Sequence, residues 1–288
     1  MKKIIEKASV LMEALPYIQE FRDSVILIKF GGSSMENEAM ISGVLKDIVL
    51  LECVGMKPVI IHGGGKAINK KLAKMGIRTH FIDGLRYTCK DTIEVVDDVL
   101  HNEVNVGLVN SMNKMGGKAK TLSGKNIISA KKLEKTAGNK KIDYGYVGEV
   151  ADVDCNLIYE DIKKGFIPII TPLGKGENQE TFNINADLVA CSLAERLEPR
   201  KLVFISNIPG LLQDPKDETS LISTIKVDEV ENYIDNEIIH GGMIPKIRAM
   251  VTAIKAGLEK VHLIDGRLQH SLLLEIFTDH GIGTEIMM

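Results

Sequence analysis

The run Val25-Ile-Leu-Ile-Lys-Phe-Gly-Gly-Ser-Ser34 joins a short apolar stretch to a glycine turn. Its first six residues read as a strand buried on both faces, and the helical spacing of Met40, Val44, Leu45, Ile48 and Leu51 follows the glycines. The same arrangement comes next in Val59-Ile-Ile61 and His62-Gly-Gly-Gly-Lys66. Working outward, Phe166–Ile170, Leu202–Ile205 and Val261–Ile264 read as further buried strands. Ile93, Val96, Leu100 and Val104, and later Leu188, Cys191, Leu193 and Leu197, have helical spacing. Such alternation predicts the α/β class, a three-layer α/β/α sandwich with a central, mainly parallel sheet.

Three segments depart from this rhythm. Residues 1–22 carry Ile4, Ala8, Leu11, Leu15, Ile18 and Phe21 at helical spacing, with Pro16 placed to kink the axis against the carbonyl of Met12. That helix either folds back on its own domain or serves as an arm to another subunit. Between Lys118 and Val153 lie β-like pieces at Lys118–Thr121, Asn126–Ser129 and Val147–Val150, which read as inserted hairpins, with the lysine-rich stretch Lys131–Lys141 as a solvated loop. Leu173–Glu180 reads as a polar, glycine-rich loop closing one half, and a second lobe sharing the sheet begins near Glu198.

Composition bounds the function. With 288 residues, 44% hydrophobic and 26% charged, the chain can bury a substantial core. Lys plus Arg (36) nearly balances Asp plus Glu (39), so bulk charge gives no support to nucleic-acid binding. Cys53, Cys89, Cys155 and Cys191 form no CxxC pair and are expected to be reduced and packed. No apolar run approaches a membrane span, and Glu6, Glu13 and Pro16 argue against a signal peptide, so the expected location is the cytoplasm.

Two glycine turns at successive strand ends make an anion cradle, because exposed N–H groups and helix N-termini converge at the ligand crevice of an open α/β sheet. No GxxxxGK[ST], GxGxxG, HRD or DFG element is present. Asn183-Ile-Asn-Ala-Asp187 and Gly241-Gly-Met-Ile-Pro-Lys246 mark two later helix starts. Taken singly, Asn183 or Asn185 is an N-cap, Asp187 an early-helix carboxylate, Lys246 a solvated lysine or part of a shaped turn, and Arg86 a carboxylate clamp or a surface partner.

Read in order, Lys29-Phe-Gly-Gly32, His62-Gly-Gly-Gly65, Asp83-Gly-Leu-Arg-Tyr-Thr88, Asp143-Tyr-Gly-Tyr-Val-Gly-Glu-Val150, Phe182-Asn-Ile-Asn-Ala-Asp187 and His240-Gly-Gly-Met-Ile-Pro-Lys246 resemble the acetylglutamate kinase family, of the amino-acid kinase fold. The stretches Leu11–Phe21 and His270–Ile286 are similar to its arginine-sensitive branch. The resemblance implies transfer of the ATP γ-phosphoryl group, with Mg2+, to the side-chain carboxylate of N-acetyl-L-glutamate. It implies catalytic Lys29, Lys246 and Asp187, phosphate contacts from Gly31, Gly32 and Gly64, and substrate contacts from Gly64, Gly65, Arg86 and Asn183. No dedicated metal ligand is implied. L-Arginine as feedback inhibitor would bind near Tyr17, Lys201, His262, Glu275 and Gly281.

The implied organisation is an inter-dimer arm over residues 1–24, an acetylglutamate-binding and dimerisation lobe over 25–198, and a nucleotide lobe with the arginine site over 199–288. Three dimers would join as a hexamer, and in some relatives a PII-type protein docks on it. Lys66 stands where relatives usually have a small residue or proline, and Ser206-Asn207 replaces a Thr-Asp pair. The Lys29–Ser34 stretch is also close to the aspartokinase signature, but a chain of this length lacks room for aspartokinase regulatory domains. The alternatives are a kinase for an aminoadipate-type derivative and a catalytically silent arginine sensor.

Overall fold

The first strand sets the layers. In the computed structural model, which describes residues 5, 9, 11–31, 35, 37–137, 140–278 and 281–288, β1 (Val25–Phe30) is central to an eight-stranded sheet. Side chains alternate along a strand, so Ile26, Ile28 and Phe30 enter one apolar cluster and Leu27 enters the other. Both faces must then be covered.

In chain order, helix α1 (Leu15–Phe21) precedes β1. Then come α2 (Glu38–Cys53), β2 (Lys57–His62), α3 (Gly65–Lys74), α4 (Lys90–Asp98), α5 (Val106–Lys114) and β3 (Ala119–Leu122). They are followed by α6 (Asn156–Lys163), β4 (Ile167–Ile170), α7 (Ala186–Leu197), β5 (Lys201–Ser206) and β6 (Thr224–Lys226). The chain ends with α8 (Met243–Lys255), β7 (Lys260–Asp265), α9 (Ser271–Ile276) and β8 (Thr284–Met287). Across the sheet the order is β6-β8-β7-β5-β1-β2-β4-β3, parallel except where β8 runs antiparallel to β7. Helices α2, α5 and α9 pack on the Ile26–Ile28 face, and α7 and α8 on the Leu27 face. This is the α/β sandwich expected from the alternating pattern.

The structure corrects several local readings. The Lys118–Thr121 piece joins the main sheet as edge strand β3, parallel to β4, rather than an inserted hairpin. Ile128–Lys132 and Gly148–Val153 do pair antiparallel, in a separate four-stranded sheet with Leu173–Lys175 and Thr181–Asn183. The glycine-rich loop is therefore a hairpin that returns the chain to Asn183. Within the lysine-rich stretch, Lys135–Ala137 pairs with Lys140–Ile142. Cys155 and Cys191 are buried, but Cys53 is exposed, so the expectation of packed thiols fails there.

Near the N-terminus the helical state breaks at Ala14, and Pro16 sits in the first turn of α1, where a missing N–H removes no intrahelical bond. Phe21 is buried, whereas Leu11 is 74% and Met12 63% exposed. Ile4 and Ala8 of the expected stripe lie outside the described residues. Among those described, no helix is long and apolar enough to cross a membrane.

Candidate active site

Strand alternation decides where Lys29 points. It shares the Leu27 face, which α7 and α8 cover, and is only 6% exposed. A buried ammonium needs a partner, and the Asp187 carboxylate lies 2.8 Å away. Lys246, in the second turn of α8, reaches the other oxygen of the same carboxylate at 2.7 Å. Asn185 caps α7, accepting hydrogen bonds from the N–H groups of Asp187 (2.8 Å) and Leu188 (3.3 Å). The N-cap is thus Asn185, and Asn183 is left for another task. Burial alone would raise the Asp187 carboxyl, but Lys29 and Lys246 together hold it down at about 2. Burial and the neighbouring Lys29 charge pull the Lys246 ammonium below its ordinary value. Two cations on one anion leave the cluster with net positive charge.

The glycine turns meet beside it. A Cβ on Gly31 would stand 2.8 Å from the Gly63 nitrogen and 3.3 Å from the Lys29 ammonium, so the close approach of the two turns requires glycine. A Cβ on Gly64 would strike Leu100 at 2.5 Å. Gly32 lies outside the described residues. Gly63, Gly64 and Gly65 line a cavity of about 210 Å³ together with Phe81, Arg86 and Asn183.

Arg86 is buried, donates from Nη2 to the Gly65 carbonyl at 3.1 Å, and stacks its guanidinium 5.1 Å from the Phe81 ring centroid. Its Nη1 is buried with no hydrogen-bond partner among the described residues, which leaves one N–H donor uncommitted. Asn183 donates to Thr88 Oγ1 at 3.3 Å, and Thr88 donates to the Arg86 carbonyl at 2.9 Å. The cavity wall therefore brings a cationic fork directly against the glycine turn.

Comparison with known proteins decides the family. Residues 24–265 match the amino acid kinase family. An acetylglutamate kinase of Heliobacterium modesticaldum is 45% identical, with all of both chains covered. One from Syntrophomonas wolfei is 46% identical over 98% of each chain. The chain belongs to the acetylglutamate kinases, within the amino acid kinase family. Among solved structures, the N-acetylglutamate synthase of Neisseria gonorrhoeae, complexed with coenzyme A and N-acetyl-glutamate, superposes with a TM-score of 0.84 at 24% identity. That match covers 98% of this chain and 63% of the synthase, and it speaks for the fold alone.

This kinase has a second, larger cavity of about 480 Å³, bordered by Tyr17, Lys201, His262, Glu275 and Gly281. Glu275 is buried in its wall, 2.7 Å from His262 Nδ1 and 3.5 Å from the Lys201 ammonium, which also donates to the Glu275 main-chain carbonyl at 3.2 Å. Burial pushes the Glu275 carboxyl up, but His262 and Lys201 bring it below its ordinary value. Glu20, Glu259 and Glu285 also line this cavity.

Residue-by-residue reading assigned nothing to His62, Thr88 and Asn105. Asn105 ends a π-helical segment, Val99–Asn105, between α4 and α5. One signal was available: Val96, Leu100, Val104, Leu108 and Met112 recur every fourth residue. On an α-helix each such step overshoots one turn by about 40°, so a stripe held on one face needs local unwinding.

Proposed function

We propose that this kinase transfers the γ-phosphoryl group of ATP to the side-chain carboxylate of N-acetyl-L-glutamate, on the route to arginine. The observation that carries this reading is the convergence of Lys29 and Lys246 on Asp187 beside two glycine turns. The acceptor carboxylate is ionised at neutral pH, so no general base is needed. Its oxygen attacks the γ-phosphorus, the bond to the β,γ-bridging oxygen breaks, and ADP leaves with that electron pair. The obstacle is charge repulsion and alignment, which positioned cations and N–H groups address.

In this reading Lys29 neutralises the transferred phosphoryl group, Lys246 acts from the nucleotide side, and Asp187 fixes both ammonium groups. Gly31, Gly32 and Gly64 supply N–H groups to phosphate oxygens. Arg86 holds the α-carboxylate through its unpartnered Nη1, and Gly64, Gly65 and Asn183 complete the substrate contacts. Mg2+ would travel with ATP, held by phosphate oxygens and water, because Asp187 is already committed to two lysines.

The larger cavity is read as the L-arginine site, its carboxylates facing the guanidinium, with arginine favouring an arrangement that binds substrates less well. The exposed apolar side chains of Leu11 and Met12 support the arm reading and a hexamer of three dimers. The test is ADP release from folded protein with ATP and acetylglutamate, titrated with arginine, alongside a solution mass. Release that depends on acetylglutamate and falls with arginine is the expected result. Release only with the aminoadipate analogue, one methylene longer, transfers the assignment to the sibling activity.

A further inference from the structure

We infer that His62 and Asn105 are positioning residues, which aim the Gly64 N–H into the crevice through a relay running from the π-helical segment to the Gly63 carbonyl. The catalytic consequence rests on the function proposed above; the relay itself rests on geometry.

His62 is the last residue of β2 and is fully buried, an unusual place for an imidazole. Its Nδ1 lies 2.8 Å from the Gly63 carbonyl oxygen, and its Nε2 lies 3.1 Å from Asn105 Nδ2. Asn105, also fully buried, donates from the same nitrogen to the Ile169 carbonyl of β4 at 2.7 Å. That carbonyl accepts only, so it fixes which end of the Asn105 amide is nitrogen. A nitrogen donor facing Nε2 makes Nε2 the acceptor, and the ring proton must then sit on Nδ1, where it donates to Gly63. Burial holds the His62 pKa at about 4, so the ring is neutral at pH 7 and a single tautomer is specified.

The last step follows from peptide planarity. The Gly63 carbonyl and the Gly64 N–H belong to one trans peptide and point in opposite directions. Drawing the carbonyl toward the buried ring turns the N–H away from it, toward the cavity that Gly64 lines. The other two carbonyls of the turn are also committed, Gly64 to the Ile68 N–H at 3.0 Å and Gly65 to Arg86. Without a side chain of its own, the turn depends on such outside bonds for its orientation.

The test compares His62→Asn with His62→Gln. Asparagine can place an amide nitrogen near the Nδ1 position and keep the bond to Gly63, whereas glutamine reaches toward Nε2 and loses it. Acetylglutamate-dependent ADP release by the parent is measured first; its absence sinks the proposed function and leaves the relay to be judged spectroscopically. With an active parent, H62N is expected to retain most of kcat, and H62Q to lose about 100-fold with little change in Tm. In 15N spectra of histidine-labelled parent at pH 7, His62 is expected as the Nδ1–H tautomer. Equal losses of kcat in the two variants, or an Nε2–H tautomer, overturn the inference.

Discussion

The crevice and the larger cavity are built alike: each holds a carboxylate between two basic side chains. Asp187 sits between Lys29 and Lys246, and Glu275 between Lys201 and His262. They occupy opposite faces and ends of one sheet. Lys29 is aligned with Phe204 of β5, while Lys201 begins that strand, roughly 10 Å earlier along it. The difference lies in the surroundings. Asp187 is in the first turn of α7, where the helix favours an anion, with glycine N–H groups nearby. Glu275 is near the end of α9, the unfavourable pole, with Glu20 and Glu259 paired to Arg200 and Glu285 paired to Lys260 around the same cavity. The same local motif thus stands beside glycine turns in one place and among paired acidic and basic side chains in the other, and the proposed function gives ATP to the first and arginine to the second.

The largest effect expected is on the crevice. Lys29→Ala or Lys246→Ala should lower kcat by about 100- to 1,000-fold, the cost of removing one preorganised transition-state contact. Arginine binding to the same variants, followed by calorimetry, should be unaffected. A joint loss would mean that the two clusters are one cooperative unit. The reciprocal change is Glu275→Gln, expected to weaken arginine inhibition by about 2 kcal/mol or more while kcat without arginine stays near the parent value. Inhibition curves decide it, and an unchanged curve would remove Glu275 from the proposed inhibitor site.

The same contrast marks what the sequence could reveal. Strands and helices were legible because burial on both faces imposes continuous apolar runs, and the glycine turns because close backbone approach excludes a Cβ. Asp187 and Lys246 were visible as residues but not as a pair, since 59 positions separate them; only the family likeness joined them. The His62–Asn105 bond spans 43 positions and depends on a π-segment that ordinary helical periodicity conceals. Edge strand β3 was misread because short β-like pieces do not state which sheet they enter. The Tyr17, Lys201, His262, Glu275 and Gly281 set likewise came from resemblance alone. No spacing rule links the five, yet they border one cavity.

A smaller effect is the pH dependence of the crevice. Asp187 has its folded pKa lowered from the ordinary 3.8 to about 2. A depressed carboxyl contributes stability that is fully present above its unfolded pKa and is lost as pH falls through the folded value. The window is therefore about pH 4 down to 2, and the contribution about 2 kcal/mol. Urea unfolding of the parent should lose stability across that window more steeply than Asp187→Asn does. Parallel curves would show that the two lysines do not stabilise the charged carboxylate in the folded state.

The smallest effect tests whether helix polarity matters to the contrast. Asn185 accepts hydrogen bonds from two N–H groups at the start of α7, one of them that of Asp187. Asn185→Ala leaves those donors to water and should cost about 1 kcal/mol of stability, read as a lower urea midpoint at unchanged slope. Asp187 would keep both lysines but lose the cap that fixes its turn, so kcat should fall modestly while arginine inhibition holds. If kcat is untouched, the ion pairs alone position the carboxylate, and the placement of Asp187 at a helix start contributes to stability without tuning the crevice.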